Sequence, residues 1–169
     1  MRNIILIGMP GVGKSTLGVV LAKVLGFQFI DADLLIQKQE GKKLHEIIRE
    51  KGSEGFMKIE NQVNSSIITD KTVIATGGSV VYCQEAMKHL GEIGQIVYLQ
   101  VSLKALERRL GNLKRRGVIL KKGQTLKDLY EERVPLYEKY ADIVVDENGK
   151  DLEECLQLLL EKLNTENEG

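Results

Sequence analysis

Apolar and polar positions alternate along the chain in two rhythms. Asn3–Gly8 is a continuous β-branched run ending in glycine, the pattern of a strand buried on both faces. Shorter runs of the same kind occupy Phe27–Ile30, Thr72–Ala75, Gln95–Gln100 and Ile143–Val145. Between them the apolar spacing becomes helical. Leu17, Leu21, Val24 and Leu25 share one face of a helix expected over Lys14–Leu25 and stopped by Gly26. Further helices are expected over Asp33–Gln39, Leu44–Lys51, Ser53–Ile68, Gln84–Leu90, Leu103–Leu110, Leu126–Tyr140 (with a kink or start near Pro135) and Leu152–Leu163. The polar end, Asn164–Gly169, is expected to fray.

Strand–helix alternation of this kind predicts right-handed βαβ units: a three-layer α/β/α sandwich around a five-stranded parallel sheet. The length of 169 residues suits one domain with its own core. Ligands of such sheets bind beyond the carboxyl ends of the strands. The residues most suggestive of chemistry follow strands one, two and three.

The first group, Gly8-Met9-Pro10-Gly11-Val12-Gly13-Lys14-Ser15, is a complete G-x-x-x-x-G-K-[ST] phosphate loop between a predicted strand and a predicted helix. Gly11, Val12 and Gly13 offer backbone N–H groups to phosphate, and Thr16 continues the helix start. Lys14, expected near the surface, reaches the β- and γ-phosphates, and the Ser15 hydroxyl binds Mg²⁺. The loop therefore predicts a nucleoside triphosphate with Mg²⁺.

Asp31-Ala32-Asp33 ends strand two. If the segment is extended, alternation puts both carboxylates on one side, suiting a cation or a hydroxyl-bearing ligand. Either could instead simply cap the next helix. Thr76-Gly77-Gly78-Ser79 ends strand three, as a plain turn or a close approach to a ligand. Arg133, flanked by Glu131 and Glu132, is either salt-bridged at the surface or a binder of carboxylate or phosphate.

Composition narrows the partners. Lys+Arg and Asp+Glu both total 24, and zero net charge offers no general field for nucleic acid or anionic membranes. The strongest local bias is Arg108, Arg109, Lys114, Arg115, Arg116, Lys121 and Lys122, much of it in the glycine-bounded stretch Gly111–Gly123. Such a stretch is a solvated surface or a mobile cationic lid over a transferring phosphoryl group. Cys83 and Cys155 show no metal spacing and are expected to be buried, idle thiols. No apolar run reaches membrane-spanning length. The expectation is a soluble cytoplasmic monomer.

Taken in order, these motifs resemble the shikimate kinase family over nearly the whole chain: the phosphate loop, Asp31 with Asp33, Gly77-Gly78, the basic stretch near Arg116, and Glu132-Arg133-Val134-Pro135-Leu136-Tyr137. The resemblance implies transfer of the ATP γ-phosphoryl group to a hydroxyl of a small carboxylated cyclic alcohol. It implies that Asp33 meets the acceptor hydroxyl, Asp31 helps organise Mg²⁺, Arg116 contacts phosphate, and Arg109 lies against adenine beside the loop Asp146–Lys150. It also places the acceptor in a helical segment about 33–62, with Gly77, Gly78, Ser79 and Arg133. Three departures fall outside the phosphate loop. Met57 occupies the place of a family arginine that grips the acceptor carboxylate, while Glu60, its supporting acid, remains. Ser79 stands for a third glycine, and Arg116-Gly117-Val118 for the usual R-P-L. Weak or absent use of shikimate is therefore expected. Another hydroxylated metabolite as acceptor, or a nucleotide-dependent regulatory module, are the alternatives.

Overall fold

The computed structural model describes residues 2–110 and 123–168, with side chains through residue 165. Five strands form one parallel sheet: β1 (Asn3–Ile7), β2 (Gln28–Asp31), β3 (Thr72–Ala75), β4 (Gly94–Gln100) and β5 (Ile143–Asp146), ordered β2-β3-β1-β4-β5. Every residue of β1 is buried, as its unbroken apolar run requires at the centre of a two-faced sheet. Ile5 lies in register with Ile74 on one side and Ile96 on the other.

The helices are α1 (Lys14–Leu25), α2 (Ala32–Glu40), α3 (Leu44–Ser65), α4 (Gln84–Ile93), α5 (Leu103–Arg109), α6 (Leu126–Tyr140) and α7 (Leu152–Glu168). Leu17 and Leu21 of α1, Leu90 of α4 and Leu159 of α7 join the strand residues in the main core. A second apolar cluster, Ile36, Ile47, Phe56 and Val63, lies between α2 and α3, with Met57 packed against it.

Several boundaries differ from the sequence reading. Helix α2 begins at Ala32, so Asp31–Asp33 is not one extended segment. Asp31 closes β2 and caps α2, while Asp33 occupies the first helical turn. The two helices expected on either side of Gly52 are one element with a break at that residue (φ 73°, ψ 174°), and it ends at Ser65 rather than Ile68. A short 3₁₀ turn, Val80–Tyr82, precedes α4. Helix α6 starts at a capping box made by Thr125 and Asp128, and Pro135 lies within it. Helix α7 continues to Glu168, because nothing before Gly169 interrupts it. Both thiols are free and buried. Among the described residues, no helix is long and apolar enough to cross a membrane.

Candidate active site

The phosphate loop joins β1 to α1. Gly13 caps α1 in the left-handed region (φ 84°), where a side chain would be strained, and so turns the first helical N–H groups toward the loop. Lys14 is buried rather than at the surface. Its Nζ folds back onto the loop and donates to the carbonyls of Gly8 (2.7 Å) and Met9 (3.0 Å). Burial pulls its pKa down to about 8, against the opposing pull of Asp33, Glu147 and Asp31. The Ser15 hydroxyl donates to Asp31 Oδ2 at 2.8 Å. The other oxygen, Oδ1, accepts the backbone N–H of Leu34 at 3.2 Å. Asp31 therefore caps a helix, as one of its two sequence readings has it, and it also accepts the loop's Ser15 hydroxyl.

Next to the loop is a cavity of about 350 Å³, lined by Gly11, Gly13, Lys14, Ser15 and Thr16 on one side and by Asp33, Glu60, Gly77, Gly78, Ser79 and Arg133 on the other. Leu44 and Phe56 add apolar wall. The carboxylates crowd the glycines. A Cβ on Gly77 would stand 2.6 Å from Asp33 Oδ1 and 2.8 Å from Glu60 Oε2, and one on Gly78 would stand 2.9 Å from an Arg133 terminal nitrogen. Glycine is needed here because the polar groups close over the backbone.

Burial, then Asp31, pushes the Asp33 carboxyl up to about 6, with Lys14 pulling down. Burial pushes Glu60 up to about 7, against the Ser79 hydrogen bond and the cations Arg133 and Lys14. Arg133 is 1 % exposed. Its guanidinium lies 5.5 Å from the centre of the Tyr82 ring, and among the described residues its Nε has no hydrogen-bond partner. An arginine so deeply buried, lining a cavity with a donor unspent, is equipped to hold an anionic group.

A second cleft, about 770 Å³, opens between α5 and the segment after β5. Arg109 and Glu147 both line it. Arg109 donates to the Gly11 carbonyl at 3.2 Å and so touches the loop from this cleft. Glu147 is buried, and its carboxyl is pushed up to about 7 while Arg109 and Lys14 pull it down.

Of the residues picked out in sequence, Gly11, Gly13, Lys14, Ser15, Thr16, Asp33, Gly77, Gly78, Ser79 and Arg133 meet around one cavity. Val12 packs into the core instead, and Met57 lies in the second apolar cluster, off the cavity lining. Arg116 and the expected lid fall outside the described residues, except for Gly123. Glu147 was given no role of its own; it falls within the loop Asp146–Lys150 that the resemblance set beside adenine, just beyond the carboxyl end of a strand.

The shikimate kinase family model matches residues 10–164. Shikimate kinase of Persephonella marina is 38% identical over 151 residues, covering 89% of this chain and 92% of that protein. Shikimate kinase of Francisella tularensis subsp. holarctica is 41% identical over 152 residues, covering 88% and 86%. The structure of shikimate kinase from Acinetobacter baumannii in complex with shikimate superposes with a TM-score of 0.83 at 27% identity, covering 98% of this chain and 94% of that one. A match running from the phosphate loop to the closing helix, at these identities, settles the descent: the chain belongs to the shikimate kinase family, ATP-dependent phosphotransferases that act on a hydroxyl group.

Proposed function

We propose that this chain uses Mg²⁺ and ATP to phosphorylate a hydroxyl of shikimate, working as a monomeric, cytoplasmic, single-domain kinase. One observation carries the acceptor's identity: buried Arg133 and the Asp33 carboxyl line the same cavity as the phosphate loop. A small carboxylated alcohol fits that pairing. Its carboxylate meets the guanidinium, and its hydroxyl meets Asp33.

Phosphoryl transfer has a loose transition state, so positioning and charge neutralisation dominate. The loop N–H groups and Lys14 hold the triphosphate once Lys14 Nζ leaves the Gly8 and Met9 carbonyls. Asp33 orients the acceptor hydroxyl. That oxygen forms a bond to the γ-phosphorus as the bond to ADP breaks, and its proton passes to the Asp33 carboxylate. Ser15 and Asp31 form a hard-oxygen pair suited to Mg²⁺, which usually takes one or two protein oxygens plus phosphates. When bound, the ion neutralises phosphate charge. Arg109 and the cleft beside Glu147 take the nucleoside end. Met57 bears on efficiency rather than identity. With it away from the lining, Arg133 is the arginine that lines the cavity among the described residues. A high acceptor KM follows.

The test is ADP release from ATP and Mg²⁺ with shikimate beside a panel of other hydroxylated acids and alcohols. Turnover with shikimate above all others supports the reading. Preference for another acceptor moves the identity, and turnover with none makes the chain a nucleotide-dependent regulatory module.

A further inference from the structure

Glu60 is 0 % exposed. Its Oε1 accepts the Ser79 hydroxyl at 2.6 Å, and the Cys83 thiol stands 4.0 Å from the same oxygen. Oε2 has no hydrogen-bond partner among the described residues, and it closes on Gly77 beside Asp33 Oδ1. A buried carboxyl oxygen left bare is costly unless something else meets it. Glu60 lines the cavity, and this oxygen lies next to the carboxylate assigned to the reacting hydroxyl.

Ser79 has a single hydroxyl proton, and Glu60 takes it. Ser79 therefore cannot donate to the acceptor at the same time. Its effect on the acceptor passes through Glu60. The charged or titratable groups facing Glu60 are Lys14 of α1, Asp33 of α2, Cys83 after the 3₁₀ turn, and Arg133 and Tyr137 of α6. None of these hydrogen-bonds its Oε2, so Ser79 is the short, strong donor that fixes the carboxyl's rotation.

We infer that Ser79 is a positioning residue of the acceptor site: it turns the Glu60 carboxyl so that Oε2 receives a hydroxyl of the acceptor beside the one that Asp33 engages. A neutral hydroxyl does here what a cation beside a buried acid would otherwise do. The inference rests on this cavity being the acceptor site.

Ser79→Ala, with Ser79→Gly as a second variant, separates positioning from folding. Steady-state kinetics with ATP, Mg²⁺ and shikimate read one arm. The carboxyl ¹³C resonance of Glu60, identified by its loss in Glu60→Gln, reads the other in the protein without substrates. A hydrogen bond to a charged group carries about tenfold or more in affinity. The expected result is an acceptor KM raised about tenfold with the ATP KM unchanged, and a Glu60 titration midpoint about one pH unit higher. An acceptor KM within twofold of wild type with an unmoved midpoint overturns the inference. So does an equal rise in both KM values, which marks general damage. If the wild-type protein does not turn over shikimate, the acceptor reading fails, and the Glu60 titration alone decides on Ser79: a raised midpoint sustains its hold on the carboxyl, and an unmoved one removes it.

Discussion

The two halves of the site are built in different ways. In the proposed reading the triphosphate end of the nucleotide half comes from one stretch of eight residues, Gly8–Ser15, whose chemistry is mostly backbone: N–H groups held by a left-handed glycine at a helix start. The proposed acceptor half draws on four separate places: Asp33 on α2, Glu60 on α3, Gly77–Ser79 after β3, and Arg133 on α6. A backbone site is local and tolerates little change. A side-chain site assembled from distant elements can be retuned one residue at a time. The departures at Met57 and Ser79 both fall in the second half or on the helix that supplies it.

The sharpest way to break this contrast is at Lys14, the buried cation of the phosphate loop. Lys14→Ala should reduce turnover more than a hundredfold, because contacts of this kind to developing charge are usually that large. The variant should melt at or above the wild-type temperature without nucleotide, since a buried ammonium with a depressed pKa has been removed. Turnover above about a tenth of wild type would remove Lys14 from its role.

Asp33→Asn probes the other half. Turnover should fall by about a hundredfold while ATP affinity stays within a few-fold, as expected for a lost base on the acceptor side. Equal losses would transfer Asp33 to the nucleotide half. Gly77→Ala should follow, with acceptor KM raised about tenfold and ATP KM little changed. Its Cβ would push against both Asp33 and Glu60, and strain of roughly 1–3 kcal/mol is typical of such crowding. Met57→Arg should lower the acceptor KM, but by less than tenfold. Residue 57 lies three positions before Glu60 on α3, and Glu60 already has a hydrogen-bond donor in Ser79. A gain of a hundredfold would mean that Ser79 does little.

The smallest effect concerns pH. The Glu60 carboxyl titrates near 7 in the fold against an ordinary 4.5, so the fold favours its neutral form. Stability from this group is complete below about pH 4.5 and is lost as pH rises through about 7. The substrate-free protein should therefore melt lower at pH 8 than at pH 5. Glu60→Gln should flatten that fall by a few degrees, since about 1 kcal/mol moves a chain of this size by roughly 2–4 °C. An unchanged pH dependence in Glu60→Gln would show that other groups set it.

The same contrast explains what could be read from the chain. All five strands were legible because each is an apolar run bounded by polar or glycine residues, and a parallel sheet buried on both faces demands such runs. The phosphate loop was legible because its function is written in consecutive residues. Asp31-Ala32-Asp33 was not resolved, since the same three residues serve as a strand end or as a cap and first turn. The hydrogen bond between Asp142, just before β5, and Ile96, and that between Ser79 and Glu60, join residues 46 and 19 positions apart. No periodicity announces such pairs. Met57 shows the limit from the other direction. Its departure from the family pattern was visible, but its place against the second apolar cluster rather than in the cavity lining required the fold.

Asp31 joins the halves that its neighbours keep apart. One oxygen accepts Ser15 from the loop, and the other sets the start of α2, two residues before Asp33. Any shift that nucleotide imposes on Ser15 therefore has a route of two hydrogen bonds to the helix turn that carries the acceptor's carboxylate. Energetic traffic along such a route is reciprocal by thermodynamic necessity. By whatever factor ATP changes the protein's hold on its acceptor, the acceptor changes its hold on ATP by the same factor.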